Sequence, residues 1–174
     1  NSPSTCARSL RAAQRALGRA AIAPTKRNAF ERASASRAPV VILARPHVPG
    51  NVGQVARAML NFGLTELRVV LPTAGWREGE AMTRACGADD VLGAAKEYDD
   101  LRVATADLSA VYATTARARD AVRTPHSPRA AAVLATERIE HGDRVGFLFG
   151  CERNGLTDIR PQDRLCVSAC RVSW

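Results

Sequence analysis

Short apolar runs alternate with longer amphipathic stretches from residue 39 onward. The apolar runs are rich in Val and Leu and predict buried strands, at residues 39–44, 66–71, 110–115, 144–149 and 165–169. The stretches between them predict helices at residues 51–62, 80–86, 99–106 and 127–140, and a helical turn at residues 156–163. This alternation predicts an α/β fold, in which a parallel sheet carries helices on both faces.

The helix predicted at residues 51–62 has recognisable ends. Asn51 can accept hydrogen bonds from free backbone N–H groups and is therefore the predicted N-cap, while Gly63 can adopt the left-handed conformation that ends a helix. Between them, Val52, Val55 and Met59 recur at helical spacing and predict one apolar face, which Phe62 can extend. The glycines and the asparagine at the entrance of this helix would let a ligand approach the backbone closely.

Three stretches follow predicted strands and mark the expected ligand site, because parallel sheets bind ligands beyond the carboxyl ends of their strands. They span residues 45–51, 114–119 and 150–155. The first contains His47, a candidate by position alone. The second contains the hydroxyl groups of Thr114 and Thr115, which can hold the ribose and base of an adenosine. A solvated turn is the alternative for each stretch.

Four arginines are candidates for contacts with phosphate groups. Arg117 and Arg119 follow the third predicted strand, and Arg153 follows Glu152 after the fourth. Arg57 lies between alanines in an otherwise apolar helix, from which a guanidinium could bind a phosphate through two hydrogen bonds and polarise a nearby hydroxyl. The alternative for each is a solvated charge or a surface ion pair of little energetic value.

Composition narrows the class of protein. Hydrophobic residues make up 46% and charged residues 24% of the 174 residues, which is typical of one globular domain. No apolar run reaches the roughly 18 residues that span a bilayer, so we expect no membrane partner. Five cysteines without a C-x-x-C pair, and with no neighbouring histidines, argue against a disulfide framework and a zinc site. A reducing compartment and the absence of a metal cofactor are the resulting predictions.

Most of the formal net charge of +8 comes from residues 1–38, which hold seven Arg and one Lys against the single acid Glu31. We predict that residues 1–38 form a basic, disordered extension and that one domain occupies residues 39–174. A transit peptide and a basic arm that binds phosphates are the alternatives for the extension. A cytoplasmic location is predicted, or a mitochondrial or plastid one if the extension is a transit peptide.

Three ordered segments carry a resemblance to the SPOUT-class RNA 2'-O-ribose methyltransferases of the SpoU/TrmH group. Residues 49–63 resemble the first signature of that group and read P-G-N-V-G-Q-V-A-R-A-M-L-N-F-G. Residues 113–117 and 149–157 resemble two further stretches and read A-T-T-A-R and F-G-C-E-R-N-G-L-T. The continuation N-F-G-L-T-E-L-R-V-V at residues 61–70 is similar to the TrmJ-type tRNA (cytidine/uridine-2'-O-)-methyltransferases.

The resemblance implies a homodimer with a deep trefoil knot, which binds S-adenosyl-L-methionine without a metal and methylates a ribose 2'-hydroxyl of tRNA. It implies catalytic roles for Arg57, Asn51 and Glu152. It also implies cofactor contacts at four positions, Thr114, Thr115, Ala116 and Gly150. Arg117, Arg119 and Arg153 are expected to bind RNA.

Two departures from the family pattern modify these expectations. Cys151 stands where the subgroup usually has arginine. Residues 166–174 read C-V-S-A-C-R-V-S-W, where the resemblance implies an N-P-x-x-x-S-L-N-like segment and a helix. We therefore expect a domain truncated at its C-terminus, with weak cofactor binding and little activity. A 2'-O-methyltransferase acting on rRNA and a non-catalytic RNA-binding remnant are the alternative functions.

Overall fold

Six parallel strands form one sheet in the computed structural model of the protein, which describes residues 38–114 and 126–156, and the backbone alone of residues 115 and 167–171. The strands are β1 (Val40–Ala44), β2 (Leu67–Val70), β3 (Lys96–Tyr98), β4 (Ala110–Thr115), β5 (Val145–Phe149) and β6 (Val167–Arg171). The helices are α1 (Pro49–Asn61), α2 (Glu80–Ala85), α3 (Asp89–Ala94), α4 (Leu101–Thr105) and α5 (Pro128–Glu140).

Helices cover both faces of the sheet. On one face, Val41 of β1 packs in a buried cluster with side chains of α1, α2 and α3, and Tyr112 of β4 packs with side chains of α5. On the other face, Ile42 and Leu148 share a buried cluster with Ala104 of α4. The predicted α/β class and the arrangement of helices on both faces are confirmed.

The strand order β3-β2-β1-β5-β4-β6 places β5 beside β1. After β1 the chain adds β2 and β3 on one side, whereas β5, β4 and β6 lie on the other. The carboxyl ends of β1 and β5 therefore flank the point where the strand order reverses. In open parallel sheets this is the usual position of a ligand site.

Two elements were not predicted. A second short helix, α3, and the strand β3 were missed, because β3 has only three residues and two of its side chains are exposed. The last predicted strand, at residues 165–169, is found as β6 at Val167–Arg171, and residues 165 and 166 lie outside the described residues. The predicted extension at residues 1–38, apart from residue 38, and the helical turn beyond Leu156 lie outside the described residues. The predicted knot stays a prediction.

A network of ion pairs joins the amino-terminal ends of β2, β4 and β5. Arg68, only 3% exposed, donates hydrogen bonds to Glu66 (Nε–Oε1, 3.0 Å), Asp107 (Nη1–Oδ1, 2.5 Å) and the carbonyl of Ala104 (2.6 Å). Arg144 also pairs with both carboxylates, at 2.6 Å from Glu66 and 3.0 Å from Asp107. The network lies away from the strand ends that flank the expected ligand site and has a structural role.

The network predicts a stability change in acid. The hydrogen bond from Arg68 is the main reason that the pKa of Asp107 is lowered from 3.8 to about 2. Its stabilising contribution is fully present above the ordinary pKa and is lost as the pH falls toward 2. Chemical unfolding between pH 5 and pH 2 should show a smaller acid-dependent loss for Asp107→Asn than for the unchanged chain. Asp99→Asn, at an exposed carboxylate, is the control and should leave the pH dependence unchanged; equal slopes for all three proteins would contradict the prediction.

Candidate functional site

A mostly apolar cavity of about 760 Å³ opens at the carboxyl ends of β1, β4 and β5. Side chains of β1 and α1 form its apolar wall, including Leu43, Val55 and Met59. Polar groups come from Asn51 at the entrance of α1, Thr114 of β4 and the loop of residues 150–155 after β5. Such a volume, with an apolar wall and a few convergent polar groups, is typical of a small-molecule or cofactor site.

The entrance of α1 differs from the prediction. The helix begins at Pro49, which suits the first helical position because its missing N–H is not needed there. Val48 is the N-cap residue, and no side chain of the helix caps it, so the prediction of Asn51 as N-cap was wrong. Asn51 lies within the first turn, and its side-chain amide is directed to Glu152, 101 residues further along the chain.

The carboxylate of Glu152 binds three donors from the stretch between β1 and α1. It accepts hydrogen bonds from the backbone N–H groups of His47 (3.0 Å) and Val48 (3.4 Å) and from Nδ2 of Asn51 (2.9 Å). Desolvation by itself would raise the pKa of Glu152. The hydrogen bonds from Asn51 and from backbone N–H groups outweigh it, so the pKa lies below its usual value. The carboxylate is therefore ionised at neutral pH and joins the two loops.

The loop after β5 folds back on itself at Gly150. A Cβ atom at Gly150 would lie 2.4 Å from the carbonyl carbon of Gly155 and 2.5 Å from the nitrogen of Leu156, so no larger residue fits without a backbone shift. Gly155 has a positive φ of 64° and its N–H donates to the carbonyl of Cys151 at 2.8 Å. The left-handed turn predicted at Gly155 is confirmed. The turn brings Glu152 to the mouth of the cavity.

The C-terminal end of α1 has the glycine cap that the sequence predicts. Gly63 is left-handed with φ of 69°, its N–H donates to the carbonyl of Leu60, and the N–H of Leu64 donates to the carbonyl of Met59. These two bonds form a Schellman motif, and Leu64 packs against the buried cluster that contains Met59. The cap holds the last turn of α1 in place as a wall of the cavity.

Five of the residues with predicted site roles meet at the cavity, namely Asn51, Thr114, Gly150, Glu152 and Arg153. Thr114 donates a hydrogen bond from its hydroxyl to the carbonyl of Leu148 at 3.3 Å, which leaves its oxygen free to accept. Arg57 is exposed and does not line the cavity. The side chain of Thr115, and Ala116, Arg117 and Arg119 altogether, lie outside the described residues.

Sequence reasoning missed the backbone donors of the site. His47 was a candidate by position alone, and it is its backbone N–H group that binds Glu152. No local signal identifies such a contact, because the two residues are 105 positions apart. Phe62, a candidate member of the predicted apolar face of α1, is instead 82% exposed at the end of the helix and forms part of the cavity lining.

The described parts of the chain contain no group of three or more His, Cys, Asp or Glu side chains arranged to hold a metal ion. Within the same residues, no helix is both long enough and apolar enough to cross a bilayer.

The fold is that of a methylase domain, since residues 38–166 match the family model of the SpoU rRNA Methylase family. The chain belongs to this family. Among solved structures, TrmJ from Z. mobilis has 40% sequence identity and a TM-score of 0.68, covering 77% of this chain and 58% of that chain. A probable methyltransferase from Bordetella pertussis has 36% identity and a TM-score of 0.69, covering 79% of this chain and 82% of that chain.

Curated relatives have more specific names. The tRNA (cytidine/uridine/adenosine-2'-O-)-methyltransferase TrmJ of Pseudomonas aeruginosa is 40% identical over 118 residues, which make up 68% of this chain and 46% of that protein. This chain thus spans about half the length of the curated relatives it matches.

Proposed function

We propose that the chain is an S-adenosyl-L-methionine-dependent methyltransferase that acts on a ribose 2'-hydroxyl of tRNA. One observation carries the proposal: the cavity lies at the switch point of a SpoU-family sheet whose sequence is 40% identical to a tRNA 2'-O-methyltransferase. Because the chain spans about half of that relative, its activity is inferred from the shared domain alone.

The cavity fits the methyl donor in size and chemistry. Its volume of about 760 Å³ and its apolar wall suit an adenosine group, and the free acceptor on the Thr114 hydroxyl suits a ribose hydroxyl. The proposed cofactor contacts are Thr114, Thr115, Ala116 and Gly150. When bound, the cofactor supplies a methyl group on a sulfonium for in-line transfer to an oxygen. The residues of the chain have to align the acceptor and assist the loss of its proton.

Arginines supply the proposed contacts to RNA. Arg57 is exposed on α1, the helix that forms one wall of the cavity, and carries no hydrogen bond or ion pair with the described residues. We assign it the task of binding a phosphate next to the acceptor ribose and polarising the 2'-hydroxyl. Arg153 at the mouth of the cavity, and Arg117 and Arg119 after β4, are assigned to the RNA backbone, which sets position but not sequence preference.

The family name favours one alternative acceptor, because it refers to rRNA. Purified chain should be incubated with methyl-labelled S-adenosyl-L-methionine and either unmodified tRNA or unmodified rRNA. Label in tRNA supports the proposal, whereas label in rRNA alone assigns the rRNA activity. Salt-sensitive tRNA binding without cofactor binding in calorimetry would instead identify a non-catalytic RNA-binding protein.

A homodimer and a cytoplasmic location complete the proposal. Leu60 and Phe62 are exposed by 47% and 82% at the end of α1, and this pair of apolar side chains could contribute to an interaction surface. We assign this surface to a second copy of the chain. The corresponding measurement is the mass in light scattering, which should be about twice the 18.6 kDa of one chain.

The proposed location is the cytoplasm. Five cysteines without a C-x-x-C pair support a reducing compartment of this kind.

A further inference from the structure

The carboxylate of Glu152 has both oxygens engaged. One oxygen, Oε1, accepts from Nδ2 of Asn51 at 2.9 Å and from the N–H of Val48 at 3.4 Å, and the other, Oε2, accepts from the N–H of His47 at 3.0 Å. His47 and Val48 precede α1 and Asn51 lies in its first turn, whereas Glu152 follows β5. The contact therefore connects the two loops on either side of the switch point.

This geometry is poorly suited to proton transfer. A general base needs a free lone pair within hydrogen-bond reach of the proton that it removes, and a pKa near the working pH. Three donors occupy three of the roughly four lone-pair sites of the carboxylate. They also hold the pKa of Glu152 below its usual value despite desolvation. A weakly basic carboxylate with most of its lone pairs engaged is better suited to holding neighbouring groups in place than to removing a proton from a hydroxyl.

The engaged groups belong to both halves of the proposed site. Gly150 and Arg153, on the loop that carries Glu152, line the cavity on the side assigned to the cofactor and to RNA. Asn51 belongs to α1, the helix that also carries Arg57. A Cβ atom at Gly150 would clash with the backbone of Gly155 and Leu156, so the loop that carries Glu152 packs tightly on itself.

We propose that Glu152 is a positioning residue, which holds the loop after β5 against the entrance of α1 and so sets the cofactor-binding side of the cavity relative to the helix that carries Arg57. This inference rests on the proposed methyltransferase function for its catalytic consequence. The contact itself does not depend on that function and can be measured separately.

Glu152→Gln tests the contact directly. The amide has nearly the same shape but no charge, and its NH₂ group faces donors, so it can replace only part of the three hydrogen bonds. Amide hydrogen exchange should become at least about tenfold faster at His47 and Val48, a change equivalent to about 1.4 kcal/mol. Glu140→Gln, at an exposed carboxylate of α5, is the matched control and should leave both amides unchanged. Unchanged exchange at His47 and Val48 in Glu152→Gln would overturn the proposal.

The pH dependence of methyl transfer separates positioning from proton transfer. For a positioning residue, Glu152→Gln lowers kcat but keeps the acidic limb of the pH–rate profile at the same apparent pKa. Disappearance of that limb would assign Glu152 as the base and overturn the proposal.

If Glu152→Gln does not fold, Asn51→Ala provides a second test, because it removes one of the three donors. It should give a smaller change of the same kind. No change in amide exchange or in kcat for Asn51→Ala would contradict the proposal. A wild-type chain with no methyl transfer rejects the proposed function, while the exchange data still decide the contact.

Discussion

Replacing Gly53 with alanine is expected to lower the free energy of unfolding by about 2 to 3 kcal/mol. Gly53 is buried where α1 crosses α2, and a Cβ atom there would lie 2.1 Å from the backbone carbonyl oxygen of Ala81. A backbone oxygen cannot rotate away as a side chain can, so the helices must separate. The higher helix propensity of alanine, about 1 kcal/mol, offsets only part of this cost. Denaturant unfolding of the two proteins measures the difference.

Gly93 provides a matched control for this substitution. It is also a helical glycine, in α3, but it is exposed, and apart from its chain neighbours and the backbone of its own helix no atom lies within 4 Å of the Cβ position. Gly93→Ala should therefore leave stability unchanged or raise it by up to about 1 kcal/mol. If Gly53→Ala were as stable as Gly93→Ala, the close crossing of α1 and α2 would be incorrect. The position of the cavity wall formed by α1 would then be incorrect as well.

Arg57→Ala is expected to reduce the turnover of methyl transfer about 10²- to 10³-fold, the usual loss when one preorganised electrostatic contact to the reacting group is removed. The affinity for S-adenosyl-L-methionine should change less than about twofold, because Arg57 is exposed and lies outside the cavity lining. Single-turnover rates with tRNA, together with calorimetric titration of the cofactor, give the two quantities independently.

A control variant and a conservative variant are needed to interpret the result for Arg57→Ala. Arg84→Ala removes another exposed helical arginine, whose only nearby acid among the described residues is Glu80 at 3.8 Å, and it should leave turnover unchanged. Arg57→Lys keeps the charge but not the two-pronged hydrogen bonding, and it should recover only part of the activity. Similar losses of turnover and cofactor affinity in Arg57→Ala would mean that Arg57 supports the fold or the cofactor, and that the acceptor ribose is recognised elsewhere.

The elements with local signals were predictable from the sequence. Ser127 was expected to begin the helix at residues 127–140, and its hydroxyl does accept a hydrogen bond from the N–H of Ala130 at 3.2 Å. Gly63 was expected to end α1 and does so with a Schellman motif. In both cases the interaction joins residues a few positions apart, so residue type and spacing are sufficient.

Features that depend on distant residues were not predictable. Arg68 was assigned to an apolar strand, yet its buried guanidinium is matched by acids and a carbonyl up to 39 residues away. The importance of Gly53 depends on the packing of α2, and the capping contacts before α1 come from Glu152, more than 100 residues later. The candidate site residues were thus found mainly through the family resemblance, while their mutual geometry required the folded chain.

Nucleoside mass spectrometry offers the most direct test of the central claim, that the cavity at the ends of β1, β4 and β5 serves ribose methylation of tRNA. The chain would be incubated with unmodified tRNA and S-adenosyl-L-methionine that carries a trideuterated methyl group, and the digested tRNA would then be analysed. We predict nucleosides that carry the deuterated methyl on the ribose, and a loss of that signal in Arg57→Ala. Deuterated methyl found only on bases, or none at all on tRNA from a folded chain that binds the cofactor, would contradict the claim.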